Sequence, residues 1–268
     1  MRTSLVVTLA AMALPLAAQW NYPTAGVPRA KDGKPDLSAP APRLADGKPD
    51  FSGTWDVEHN KPCPPEGCND FFVPWEFTNI AWKLEGGLPY QPWARDLAKS
   101  RSGNQRKDDP LSHCLPVGLV EMQTIPLFRK IVHVPGLMVI LNEYNTSYRQ
   151  IFTDGRPKPA DPQPSWTGYS TGKWEGDTLV VETTGFRDGI WLDTLGDPIT
   201  DAAKVTERIR RVNYGKIELE LTVDDPKAYT KPWTVKMNQI LQLDGDLLDY
   251  ICLENEKDVP HLVGPVKK

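Results

Sequence analysis

The stretch SWTGYSTGKWEGDTLVVETTGF, residues 165–186, decides the fold class of this 268-residue chain. Aromatic and β-branched residues fill two short runs. Glu175-Gly176-Asp177 interrupts them where a tight turn needs a residue that tolerates positive φ. The segment reads as a β-hairpin.

The same pattern recurs on both sides of it. Upstream lie Thr54 to His59, Phe71 to Leu84, Phe128 to Val134, Leu137 to Tyr144 and Ser147 to Thr153, with Pro135-Gly136 and Asn145-Thr146 supplying turns between the last three. Downstream lie Lys204 to Asn213, Lys216 to Asp224, Trp233 to Leu243 and Leu248 to Leu253. Ile217, Leu219, Leu221 and Val223 alternate with Glu218, Glu220, Thr222 and Asp224, so one face of that strand is buried and the other wet. Burying each of the four apolar side chains contributes roughly 1.5–3 kcal/mol, enough to fix the register. Consecutive strands with short links predict an all-β fold, an antiparallel meander closed into a β-barrel of about 8–10 strands, because closure removes exposed edges. A two-sheet sandwich is the alternative. One short helix is expected over Pro92 to Gln105, where Pro92 can open it and Trp93, Ala94, Leu97 and Ala98 lie among Arg95, Lys99 and Arg101.

The N-terminus sets the expected compartment. Arg2 precedes an apolar run from Leu5 to Ala18, which is short of the roughly 20 residues that span a bilayer. Residues 1–18 therefore read as a cleavable secretion signal, leaving no membrane span after cleavage. Residues 19–50 are rich in Pro, Ala, Lys and Asp, with Asp32-Gly33-Lys34-Pro35-Asp36-Leu37-Ser38 echoed by Asp46-Gly47-Lys48-Pro49-Asp50-Phe51-Ser52. With few large apolar side chains, this segment reads as an extended linker. Residues 51–268 remain for a single β-domain.

A net charge of −4 with scattered basic residues argues against a nucleic-acid partner. Four cysteines in an exported chain favour disulfides: Cys63 with Cys68 around a Pro-Pro-Glu-Gly turn, and Cys114 with Cys252. Neither the cysteines nor the four histidines are spaced as ligand pairs, so no metal site and no cofactor is expected. No Gly-x-Ser-x-Gly elbow and no phosphate-binding glycine loop is present.

Several stretches resemble an uncharacterised family of secreted bacterial proteins of acidobacterial type. They are DGKPDFSGTW (46–55), DGRP (154–157), GKWEGDTLVVET (172–183), VTER (205–208), VDDP (223–226), YTKPWT (229–234) and ICLEN (251–255). The resemblance implies export and assigns no catalytic residue. This chain departs from it at the end, reading Cys252-Leu253-Glu254-Asn255 where relatives carry Cys-His-Glu-Gly-Asn. The expected barrel is lipocalin-like by architectural analogy.

Two constellations are candidates for chemistry. With the turn centred on Thr146, Glu143 and Arg149 fall opposite each other. Glu207 and Arg211 share a face with Val205 and Ile209, and Glu182 shares parity with Val180. If these faces line the lumen, Glu143, Arg149 and Arg211 orient the polar end of a small ligand. Glu182 and Glu207 would then be an acid–base pair for a hydrolase or lyase. The plain alternative is cross-strand ion pairs on the outer surface. Tyr148, Trp166 and Trp174 are the aromatic contacts expected for an amphipathic or aromatic ligand, unless they simply fill the core. The expected function is a secreted small-molecule-binding barrel, periplasmic or extracellular.

Overall fold

The computed structural model describes residues 26–59, 73–254 and 257. Nine strands close into one barrel in sequence order. They are β1 (Gly53–Val57), β2 (Arg129–Val134), β3 (Leu137–Asn142), β4 (Tyr148–Phe152), β5 (Tyr169–Glu175), β6 (Thr178–Thr184), β7 (Lys204–Asn213), β8 (Lys216–Asp224) and β9 (Trp233–Gln242). The barrel closes through β1 on β9, with Trp55 opposite Leu241. The hairpin over residues 165–186 is β5–β6, and Gly176 occupies its turn at φ +61°. In β8, Ile217, Leu219, Leu221 and Val223 are all buried, as their alternation required.

The meander breaks once. β4 and β5 run parallel, paired only at Ile151–Ser170 and Phe152–Thr171, whereas every other neighbouring pair is antiparallel. A parallel link must carry the chain back along the barrel. Residues 153–168 do this, and Pro157, Pro159, Pro162 and Pro164 keep them out of the sheet by withholding backbone donors.

Four short helical segments sit outside the strands: α1 (Trp75–Thr78), α2 (Pro92–Gly103), a 3₁₀ turn (Pro110–His113) and α3 (Leu119–Thr124). The expected helix is α2, with Pro92 in its first turn. Phe71 to Leu84 is not the expected strand within its described part, which holds α1 and a series of turns. Leu248 to Leu253 is not a strand either; it makes one isolated β-bridge, Tyr144 to Tyr250, together with side-chain hydrogen bonds to the β3–β4 turn. Helix α3 had no amphipathic signature to reveal it, because all six of its residues are buried.

The described part of the linker, residues 26–50, is a series of turns rather than an extended run, mostly exposed, with Ala39 and Pro49 buried. Each copy of the repeat folds into the same loop. Arg29 Nη1 donates to the Gly33 carbonyl at 2.8 Å, and Arg43 Nη1 donates to that of Gly47 at 2.8 Å. The second loop is tied down by Arg43, which makes two hydrogen bonds to Asp177 at 2.9 and 2.7 Å. The N–H groups of Gly215 and Tyr214 donate to the carbonyls of Leu37 and Ala39. Hydrogen bonds to a hairpin replace the apolar burial that the composition could not supply. Cys114 and Cys252 form a disulfide with 5.3 Å between Cα atoms, whereas Cys63, Cys68 and the signal-like segment lie outside the described residues. No described helix is long and apolar enough to cross a membrane.

Candidate functional site

The lumen is filled. Arg149 on β4 and Glu207 on β7 both point inward, with neither side chain exposed. Nη1 of Arg149 donates to Oε1 of Glu207 at 3.0 Å, and Nη2 closes the second arm of the fork on Oε2. The guanidinium also donates to Ser170 Oγ and Thr183 Oγ1, each at 3.1 Å. Gln123 of α3 donates to Glu207 at 3.2 Å. Arg129 donates from Nη1 to the Gln123 carbonyl at 2.8 Å and also to Gln239, and burial lowers its pKa to about 10. Helix α3 is thus locked into the end of the barrel, and the space left among Trp55, Ile131, Met138 and Gln239 is about 20 Å³. That holds a water molecule and no ligand.

The far end is closed as well. Trp174 stacks on Phe51 at 5.9 Å and on His133 at 6.0 Å. Phe51 N–H donates to Nδ1 of His133 at 3.2 Å. Arg211 lies over Trp55 at 4.9 Å and donates to the carbonyls of Asp50 and Ser52 at 2.6 and 3.2 Å, holding the chain where the linker enters β1. Trp174 and Arg211 therefore belong to a plug.

The remaining expected residues are distributed differently. Glu143 does not face Arg149; the β3–β4 register places Ile140 there, and Glu143 accepts from the N–H groups of Phe128 and Leu248 at 3.1 and 2.9 Å. The interior face of β3 is Met138, Ile140 and Asn142, the opposite parity from Val139, Leu141 and Glu143. Glu182 faces solvent, 3.9 Å from Lys158. It pairs across the sheet with Thr206, whereas Glu207 pairs with Val181, so the two carboxylates lie on opposite faces of the wall. The structure does not bring them together.

What does come together is Tyr148, Arg149 and Trp166, at a cleft of about 490 Å³ in the seam between β4 and β5. The two strands pair over only two residues each, and continuing that register would set Arg149 beside Gly168. The chain turns away there instead. Gly168 adopts φ +67°, and a Cβ on it would sit 2.6 Å from Thr183 Cγ2 and 2.8 Å from the Thr184 carbonyl. Only glycine permits that close approach and positive φ together. One wall of the cleft is Tyr148, Gln150 and Phe152, the other is Trp166, Thr167 and Tyr169, and Pro116 and Val117 close the base.

The rim is held in a strained conformation. Asn145 and Thr146 have φ of 50° and 47°, a region unfavourable for a β-branched residue. Asn145 is fixed there from three directions. Its Nδ2 donates to the Cys114 carbonyl at 2.9 Å, its Oδ1 accepts from Cys252 N–H at 3.0 Å, and its N–H donates to the Tyr250 carbonyl at 2.8 Å. The disulfide thus clamps the two segments that hold the rim.

A second cluster was not foreseen from the sequence. Asp193, Asp197, Glu121 and Asp109 are buried where α1, α2, α3 and residues 187–203 pack together. Burial, then the neighbouring Asp197, pushes the Asp193 carboxyl well above its ordinary range. Burial does the same to Glu121, with Asp109 and Asp193 adding repulsion. Tyr90 donates to Asp197 at 2.5 Å, and Asp193 accepts from Ile80 N–H at 2.8 Å and Leu195 N–H at 3.0 Å. These carboxyls brace the loop against α1. Among the described residues no group of three or more His, Cys, Asp or Glu is arranged to hold a metal ion. Neither a protein-family model nor any curated protein matches this chain, so the role of the cleft rests on its own geometry.

Proposed function

We propose that this chain is a secreted binding protein for a small amphipathic or aromatic molecule, held in the β4–β5 seam cleft and not in the lumen. The observation that carries the reading is the cleft itself. It is within the ordinary size range of small-molecule sites, it is walled by Tyr148, Phe152, Trp166 and Tyr169, and its rim is strained. Export is supported by the signal-like residues 1–18 and by the Cys114–Cys252 bond, which suits an oxidising compartment. The alternative of a carboxylate-pair hydrolase or lyase finds no support in the positions of Glu182 and Glu207.

The aromatic anchors make the test direct. Titration with the uncharged fluorescent probe N-phenyl-1-naphthylamine gives saturable enhancement with the native protein. Trp166→Ala or Tyr148→Ala weakens it by about tenfold or more, the effect of losing a central aromatic anchor. Equal binding by both variants and the native chain would remove the cleft as the site.

A further inference from the structure

The chemistry of the cleft lining goes further than its size. Its charged side chain, Arg149, is fully buried and turned inward, with its guanidinium bonded to Glu207, Ser170 and Thr183. Arg156 lies over Phe152 at 3.8 Å beside the cleft, but it is paired with Asp154 at 2.6 Å. No lining group is left to bind an ionised ligand. The polar atoms facing the cleft are neutral instead. Among the described residues, the side chains of Thr146, Gln150 and Thr167 make no hydrogen bond, so two hydroxyls and a primary amide are free to donate and accept.

These groups alternate with ring faces. Tyr148 is 63% exposed on one wall, and Trp166 stands on the other with Arg187 set over its ring at 4.5 Å. Flat apolar surfaces flanked by uncharged donors and acceptors match a molecule with a C–H face and hydroxyls around its edge. Among the lining residues a charged ligand would find no partner for its charge, Arg187 lying outside the lining over the Trp166 ring, and a purely apolar one would strip water from the amide and hydroxyls without replacing it.

Resting on the reading of the cleft as the binding site, we infer that its ligand class is a neutral saccharide, a short chain of uncharged pyranose units. Their C–H faces lie on Tyr148 and Trp166, and their hydroxyls bond Gln150, Thr146 and Thr167. The strained, disulfide-clamped turn at Asn145-Thr146 fixes one of these donors before the ligand arrives, which lowers the ordering cost of binding.

Titration of the full chain with neutral trisaccharides (cellotriose, maltotriose, chitotriose) and trigalacturonate by calorimetry, and with the uncharged phenylnaphthylamine probe by fluorescence, tests this. At least one neutral trisaccharide is expected to bind saturably and trigalacturonate to bind at least tenfold more weakly. Gln150→Ala is expected to weaken the saccharide severalfold while leaving the probe within twofold. Gln150 is exposed, and an unchanged melting temperature shows that the variant folds. Probe binding at the cleft without binding of any neutral trisaccharide overturns the saccharide assignment and leaves the site standing. Preference for trigalacturonate overturns it equally. If neither the probe nor any saccharide binds, the site reading falls and this inference with it.

Discussion

Replacing Glu207 by alanine is expected to lower the folding free energy by about 3–5 kcal/mol, because it leaves the Arg149 guanidinium charged in a dry interior. The partner of that guanidinium is fixed by register. β7 places Glu207 between its cross-strand neighbours Val181 on β6 and Leu221 on β8, and β3–β4 pairing turns Arg149 inward next to Ile140. Ser170 and Thr183 satisfy part of the charge but cannot neutralise it. The loss reaches beyond the pair, since Gln123 donates to the same carboxylate and holds α3 in the barrel end. Urea denaturation followed by far-ultraviolet circular dichroism measures it as a fall in midpoint with little change in slope. The double replacement Arg149→Met with Glu207→Leu is expected to recover most of the loss, because an apolar pair of similar volume needs no charge compensation. A Glu207→Ala protein as stable as the native one would mean the pair is not buried in solution.

Stability is also expected to be greatest in mildly acidic solution and to fall as pH rises. Asp193, Asp197, Glu121 and Asp109 all have carboxyls raised by burial. A raised folded-state pKa contributes stability that is complete below the unfolded value, about 4, and is lost as pH rises through the folded value. The opposite sign comes from two sources. His133 is lowered by burial, so its contribution is lost as pH falls through the ordinary histidine range. The exposed carboxyls of Asp154, Asp177, Asp201 and Asp246 are lowered chiefly by hydrogen bonds from Arg156, Arg43, Lys227 and Lys130, and act only at the acid extreme. The two losses overlap below the ordinary histidine value, and four raised carboxyls against one histidine set the maximum on the acid side. Melting temperatures between about pH 4 and about pH 8 map the curve. Glu121→Gln, which mimics the protonated side chain, should flatten its alkaline limb. A melting temperature that climbs steadily to neutral pH would contradict the picture of a protonated brace.

The strands were readable in the sequence because each carries its own period. Val205, Glu207, Ile209 and Arg211 alternate with solvent-facing residues, and burial follows that alternation to the residue. Parity failed in β3 and β6 for one reason. Both have apolar residues on both faces, so Leu141 and Val180 gave no sign of which side was inside, and Glu143 and Glu182 were carried inward with them. The Arg149–Glu207 pair joins residues on β4 and β7, with β5 and β6 between them in the barrel, so it depended on a closure that local pattern does not encode. The parallel return before β5 was hidden for a similar reason. Its prolines announce a loop without giving its direction.

The cleft was half visible. Tyr148, Arg149 and Trp166 were named as ligand contacts, but for a lumen that α3 occupies. What the sequence withheld was that β4 and β5 separate at Gly168 and open a cleft in the wall.

That relocation is open to one direct measurement. The chain has nine tryptophans, and their indole N–H signals can be assigned by nuclear magnetic resonance. On titration with the uncharged phenylnaphthylamine probe, the Trp166 indole and the Gln150 side-chain amide should shift together while the Trp55 indole, inside the barrel, stays still. Shifts at Trp55 and at the methyls of Ile131 and Met138, with Trp166 unmoved, would place the ligand in the lumen and contradict the account.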